Sequence, residues 1–193
     1  MIRLFFIINV IFYLINIYGC SPAGVIASGG ASTMVIAEGD RTVGTIIDDT
    51  TVKVQIAQKF ISSDNNLFLN VEAAVLEGRV LLTGIVDKQE SRIEAVRRVW
   101  EVAGVKEVIN EIEVGNKTSL KEYSQDLWIT TQIKGVAAKK LGLRSISYNF
   151  ETIKGKVYVT GITSKKNQLN LLIESINNIK GVKEIVNYVI LKE

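Results

Sequence analysis

Residues 78–114, GRVLLTGIVDKQESRIEAVRRVWEVAGVKEVINEIEV, recur as residues 155–191, GKVYVTGITSKKNQLNLLIESINNIKGVKEIVNYVIL, at a constant offset of 77 and without a gap. The two stretches share 11 of their 37 residues, among them the run 104–107 and its copy 181–184. An internal repeat of this kind indicates that one structural unit is present twice. Residues that both copies keep are therefore expected to be structural, whereas residues that only one copy has are candidates for function.

The first half of the first copy predicts a helix followed by a β-hairpin. Val52, Ile56 and Phe60 recur every four positions after Asp48, which is typical of one face of a helix. Apolar residues then alternate on both sides of a turn at residues 77–78. We therefore expect a helix and two antiparallel strands.

The second half of the first copy predicts a helix and a last strand. The stretch from Asp87 to Glu90 fits a capping box, and Gly104 is placed to end the helix behind it. Trp100 falls on the helix side that we expect to cover the sheet, so we predict that it belongs to the core. Residues 105–114 complete an α-β-β-α-β unit.

The second copy predicts the same order of elements, with Ser164 as a helix N-cap. Its elements are expected at residues 125–141 (helix), 145–150 and 156–162 (strands), 164–179 (helix) and 182–191 (strand). The predicted fold class is therefore α+β, with two tandem α-β-β-α-β domains. Each domain is expected to hold a three-stranded mixed sheet with two helices on one face.

The N-terminus has the pattern of a secretory signal, with Arg3 before the apolar run 4–15. The run is short for a membrane span. Cys20 follows Gly19 directly, and this arrangement resembles a bacterial lipobox, in which Cys20 would be lipidated. The alternative is an uncleaved membrane anchor with an incidental cysteine. Resemblance to lipoproteins also makes Ser21 informative, because an Asp at that position is associated with inner-membrane retention.

These patterns divide the chain into five segments. Residues 21–45 are rich in Gly, Ala, Ser and Thr, which predicts a flexible tether, although their apolar patches could instead dock on a domain. The expected segments are a signal peptide (1–19), the lipidated Cys20 with its tether (20–46), a first domain (47–115), a linker (116–123) and a second domain (124–193).

The composition argues against an enzyme. The chain has no His and a single Cys, so metal sites built on His and Cys and nucleophiles assisted by His are excluded. No paired-acid motif and no phosphate-binding glycine loop is present. We therefore predict no catalytic residues, no metal, no cofactor and no small-molecule substrate.

Both copies carry the pattern G-x-V-x-x-x-G, then a helix of about sixteen residues, then G-V-x-x-V/I. This pattern resembles the BON domain of Gram-negative envelope proteins. Three further stretches, 41–44, 110–112 and 126–131, fit outer-membrane lipoproteins that carry two such domains. The resemblance covers roughly residues 20–192, and it implies a non-enzymatic protein that is lipid-anchored in the outer membrane and faces the periplasm.

The two copies differ in charge. Residues 48–115 hold eight Lys and Arg against twelve Asp and Glu, a net charge of −4, whereas residues 123–193 hold eleven against five, a net charge of +6. A basic half indicates an anionic partner. In the envelope we expect that partner to be phospholipid and not nucleic acid.

Trp128 has no counterpart in the first copy, where Thr51 stands instead. It lies about 130° from the predicted apolar stripe of its helix. A Trp at an exposed position beside cations is typical of contact with a membrane surface. We predict that Trp128 binds anionic phospholipid together with four basic residues, Lys134, Lys139, Lys140 and Arg144.

Other interpretations of the same residues stay open. Trp128 could pack on the neighbouring domain or the linker, and the lysines could form only a solvated surface. The resemblance favours lipid, because the second BON domain of lipoproteins with two such domains is associated with anionic phospholipid through this helix. Gln132 stands where relatives tend to be basic, which predicts weaker binding.

The sequence thus predicts a lipoprotein that binds anionic phospholipid and supports outer-membrane integrity. The alternative is a protein-interaction adaptor whose partners are envelope proteins of outer-membrane assembly or peptidoglycan remodelling.

Overall fold

Each repeat folds into a three-stranded sheet with its helices on one face. The computed structural model describes residues 43–63, 65–116 and 118–192. The first copy contains α1 (Val43–Ser63), α2 (Asn65–Asn70), β1 (Val71–Leu76), β2 (Arg79–Val86), α3 (Gln89–Trp100) and β3 (Glu107–Val114). The second contains α4 (Leu120–Leu141), a 3-10 helix (Gly142–Ser147), β4 (Tyr148–Ile153), β5 (Lys156–Thr163), α5 (Lys166–Asn177) and β6 (Glu184–Leu191).

The two sheets have the same topology. Their strand orders are β1-β2-β3 and β4-β5-β6. In each sheet the first pair is antiparallel, as in a hairpin, and the second pair is parallel, as a helical crossover requires. Every strand of the second sheet begins 77 residues after its equivalent in the first. The predicted fold class, α+β with two mixed sheets, is confirmed.

The cores follow the predicted periodicity. Val52, Ile56 and Phe60 of α1 are buried against the first sheet. Ile129 and Ile133 of α4 are fully buried against the second, together with Ala137. Because strand residues alternate between the two faces of a sheet, the strand residues of these two cores lie at every second position.

An aspartate on the first helix of each copy binds the hairpin turn. The carboxylate of Asp49 accepts the backbone N–H of Glu77 at 2.8 Å and that of Gly78 at 3.1 Å. Asp126 accepts the same two bonds from the turn at residues 154–155, at 2.7 and 2.9 Å. These two buried acids therefore satisfy turn amides that would otherwise lack partners.

The shared glycines have a steric reason. Gly78 and Gly155 both have a φ of +82°, which side chains other than glycine rarely adopt. A Cβ atom there would lie 2.6 or 2.7 Å from the carbonyl oxygen of Gly104 or Gly181. The repeat thus kept the glycines that hold the hairpin turn against the loop before the last strand.

The outer faces of the two sheets pack against each other. Leu81 and Ile85 of β2 form one apolar cluster with Ile153 of β4 and Tyr158 of β5. β1 contacts β5 and β2 contacts β4, the reciprocal exchange that two equivalent copies make around a local twofold. The two domains therefore form one compact body.

Polar contacts close the interface between the domains. The carboxylate of Glu111 accepts a hydrogen bond from the Tyr188 hydroxyl and lies 3.3 Å from Lys156 Nζ. Glu111 and Tyr188 stand 77 residues apart, so equivalent positions of the two copies meet here. Lys192 Nζ pairs with Glu77 at 2.8 Å.

Several predicted helix ends are wrong. α1 begins at Val43, five residues before Asp48, and α4 begins at Leu120, inside the stretch predicted as a linker. The capping box lies at Ser119 and Glu122, which exchange hydrogen bonds at the start of α4. The proposed caps of α3 and α5 are absent: Lys88 and Lys165 occupy the N-cap positions without a side-chain cap.

Three further expectations differ from the structure. Trp100 is about half exposed and not part of the core, because α3 packs on the core through Ala95, Val96 and Val99. The short helix α2 had no signal in the periodicity. Residues 145–147, predicted as strand, belong to the 3-10 helix.

The predicted signal peptide, Cys20 and tether up to residue 42 lie outside the described residues. Among the helices that the structure does describe, none is long and apolar enough to cross a bilayer.

Candidate functional site

Trp128 projects from α4 on the side opposite the core. Its exposed fraction is 64%. The buried positions of the helix, among them Asp126, Ile129 and Ile133, face the second sheet. The indole is therefore free to meet a partner, as the angular argument from the sequence predicted.

Two lysines share the line of Trp128 along α4. At about 100° per residue, Lys121 and Lys139 lie within about 20° of Trp128 around the helix axis. They stand roughly 10 Å before it and 16 Å after it along that axis. Both are exposed, and neither forms an ion pair with a described residue. α4 thus presents a straight row of cation, indole and cation, which we call the Trp128 row.

The other predicted basic residues lie away from the Trp128 row. Lys134 and Lys140 are exposed but stand about 120° to either side of Trp128. Arg144 is half-buried on the 3-10 helix. The five predicted residues therefore do not form one cluster, and only Lys139 joins Trp128.

Lys121 was missed because the predicted helix began at residue 125. The signal was present in the sequence, since Ser119-Leu120-Lys121-Glu122 fits a capping box before an apolar run. Ser119 Oγ accepts the backbone N–H of Glu122, whose carboxylate accepts that of Ser119. The Ser119 hydroxyl also donates to the Glu122 carboxylate, and this bond, together with the one from the Ser119 backbone N–H, lowers the pKa of Glu122.

The N-terminal half of α4 exposes a second, apolar row. Leu120 is 87% exposed, and Tyr123 and Leu127 are also largely exposed. Their i, i+3, i+7 spacing places them on one side of the helix, next to Trp128. Aromatic and aliphatic side chains beside unpaired cations are the combination that interfacial helices use.

Cations of the first copy are largely neutralised by carboxylates. On α3, Arg97 and Arg98 both bind Glu94, at 2.6 and 2.7 Å, and Lys59 of α1 binds Glu101 at 2.9 Å. Hydrogen bonds from the two arginines lower the pKa of Glu94 to about 2. This helix surface has little free positive charge for an anionic partner.

A cleft of about 500 Å³ separates α4 from β1 and α2 of the first copy. Phe68, Glu72, Leu127, Lys134 and Glu151 are among its lining residues. Within the described residues, no group of three or more His, Cys, Asp and Glu is arranged to hold a metal ion.

The chain belongs to the BON-domain family: the family model of the BON domain matches residues 48–116 and 125–193. Its two domains and their mixed sheets are those of a protein with tandem BON domains.

Three proteins are similar to this chain over most of its length. The chain is 38% identical over 147 residues to "Uncharacterized protein in gshII 5'region" of Anaplasma centrale, covering 76% of this chain and 96% of that one. It is 30% identical over 174 residues to "Outer membrane lipoprotein DolP" of Haemophilus influenzae, covering 89% and 88%. It is 29% identical over 154 residues to the "21 kDa hemolysin" of Actinobacillus pleuropneumoniae, covering 77% and 78%.

Proposed function

We propose that this protein is a non-enzymatic lipoprotein of the outer membrane that faces the periplasm, binds anionic phospholipid through α4 and supports membrane integrity. The envelope location is supported by similarity to an outer membrane lipoprotein over most of both chains. The signal peptide at residues 1–19 and lipidation of Cys20 are part of this proposal.

The observation that carries the lipid-binding proposal is the Trp128 row. It joins an exposed indole to two exposed lysines, Lys121 and Lys139, on one side of one helix. A straight row on a convex helix surface can lie flat against a bilayer. The indole would then sit at the depth of the headgroups, and each ammonium would add about 1 kcal/mol near an anionic surface.

The acyl chains and α4 have different roles in this mechanism. Lipid on Cys20 would keep the protein at the membrane, and the tether would raise the effective concentration of α4 there. The affinity of α4 for headgroups can therefore be low while most molecules still have α4 in contact with the membrane. Its charge-based part is screened over about 8 Å at physiological salt.

The experiment is vesicle flotation with the purified, unlipidated chain from residue 21 onward. Vesicles of phosphatidylcholine are compared with vesicles that also contain phosphatidylglycerol. We expect recovery with the anionic vesicles only, and a loss of that recovery as salt is raised. Equal recovery with both vesicles would contradict the proposal.

The apolar row of α4 supports one alternative, an adaptor for other envelope proteins. Leu120, Tyr123 and Leu127 are exposed next to Trp128, and exposed aromatic and aliphatic residues also mark protein interfaces. Photo-crosslinking from position 127 in cells distinguishes the two. Capture of one defined protein favours the adaptor, and crosslinks to lipid favour the membrane.

A further inference from the structure

The carboxyl group of Glu151 lies at the interface between the two domains and has no hydrogen-bond or ion-pair partner among the described residues. It lies on β4, on the face of the second sheet that packs toward the first domain, and its cross-strand neighbour is the buried Tyr158. The side chain is half-buried and lines the cleft. It makes no hydrogen bond or ion pair with any described residue.

The groups that face Glu151 come from both domains and do not neutralise it. Glu72 of β1 lines the same cleft, and its carboxylate is bound by Lys53 of α1 at 2.6 Å. From α4, the carboxylate of Asp126 is occupied by the turn amides, and Lys134 is beyond ion-pair distance. Burial, with repulsion from Glu72 second, raises the pKa of Glu151 to about 7.

The interface that buries Glu151 has an apolar and a polar part. Its apolar part is the cluster around Leu81 and Tyr158, and the polar part centres on Glu111. Domains of one chain commonly move relative to each other unless their interface is large and apolar. If the domains separate, Glu151 enters water, where a glutamate ionises near its ordinary value of 4.5.

We propose that Glu151 makes the packing of the two domains depend on pH: the packed arrangement is favoured while its carboxyl is protonated and loses stability when it ionises. This switch is independent of lipid binding. In the packed arrangement the proton is retained up to about pH 7, whereas in the open one it is released near 4.5. Rising pH across this window therefore favours opening.

The sequence makes this titration unusually easy to assign. The chain contains no histidine, which is the side chain that ordinarily titrates near neutral pH. A change in the packing between about pH 5 and pH 7 that vanishes with Glu151 would therefore point to this carboxyl.

The test is a distance measurement between the domains in the whole mature chain. Dyes are attached at Glu90→Cys on α3 and Asn167→Cys on α5, both exposed, with Cys20→Ser to remove the native thiol. We expect the ratio of packed to open molecules to fall by at least about tenfold between about pH 5 and pH 7 and to change little above that, because Glu151 is then ionised in both arrangements. A distance distribution that does not change with pH would overturn the proposal.

Three variants decide whether Glu151 is the cause. Glu151→Gln should stay packed across the range, and Glu72→Gln should lower the pH at which the fall levels off, because it removes the neighbouring carboxylate. Glu174→Gln, the same charge change on α5 at an exposed position, should behave as the parent. A fall in this ratio that persists in Glu151→Gln, or one that levels off at the same pH in Glu72→Gln as in the parent, would contradict the mechanism.

Discussion

At the scale of single residues, positions that the two copies share have structural roles, and positions where they differ are the candidates for function. Asp49 and Asp126 make the same bonds to equivalent turns, so both copies need them. Trp128 replaces Thr51 and projects away from the core. The alternation of buried and exposed positions could be predicted from periodicity alone, because a helix that covers a sheet must bury one side.

The same reasoning failed at Trp100, for a physical reason. Val96, Val99 and Trp100 all fit a broad apolar stripe in the sequence. α3 instead meets its sheet through Ala95, Val96 and Val99, and the indole at the end of the helix lies outside that contact. The spacing of apolar residues predicts which side of a helix faces the core, but not how many of the residues on that side are buried.

Two adjacent lysines test the Trp128 row at this scale. Lys139 lies on the row and Lys140 lies about 100° around the helix from it. Lys139→Gln should weaken binding to anionic vesicles about fivefold, because it removes about 1 kcal/mol of attraction to phosphate. Lys140→Gln carries the same charge change and should have a clearly smaller effect in the same flotation assay. Equal losses would mean that only net charge matters.

At the scale of elements, the ends of helices were the least predictable feature. Two stretches fitted a capping box, Asp87 to Glu90 and Ser119 to Glu122, and only the second forms one. Lys88, the residue before α3, is extended and makes no side-chain cap, since the chain has just left β2. Whether a capping box forms depends on the path by which the chain enters the helix. A four-residue motif carries no information about that path.

The cap of α4 should matter for stability. Ser119→Ala removes the hydroxyl that binds the N–H of Glu122, and it should lower the free energy of unfolding by about 1 kcal/mol. Denaturant titration followed by circular dichroism measures this change. Ser175→Ala is the control, because its hydroxyl binds only the carbonyl of Leu171 one turn earlier. If Ser119→Ala is as stable as Ser175→Ala, the cap at the start of α4 contributes nothing to the free energy of unfolding.

At the scale of the molecule, the packing of the two domains could not be predicted. The sequence shows that β2 and β5 are apolar on both faces, but it does not show what covers the second face. The structure shows that each sheet covers the other, through Leu81, Ile85 and Tyr158. The cleft and the position of Glu151 follow from that packing.

Glu111 should give the interface a pH dependence opposite to that of Glu151. Although burial opposes it, hydrogen bonds from Tyr188 and Lys156 lower the pKa of Glu111. A carboxyl group whose pKa is lowered by folding stabilises the folded state at pH values above its ordinary pKa of 4.5. This stabilisation is lost as the pH falls through the pKa of the folded state. Glu111→Gln should therefore lower the melting temperature at neutral pH and match the parent in strong acid. Thermal scans across pH check this, and a constant difference would contradict it.

The central claim is that the second domain meets the membrane through Trp128, and the chain supplies its own control. Trp100 is also a half-exposed tryptophan on a helix, but it stands in the acidic first domain. Flotation with phosphatidylglycerol vesicles should show that Trp128→Ala binds roughly tenfold more weakly, the equivalent of about 1.4 kcal/mol, while Trp100→Ala binds as the parent does. Equal binding by Trp128→Ala and the parent would contradict the account.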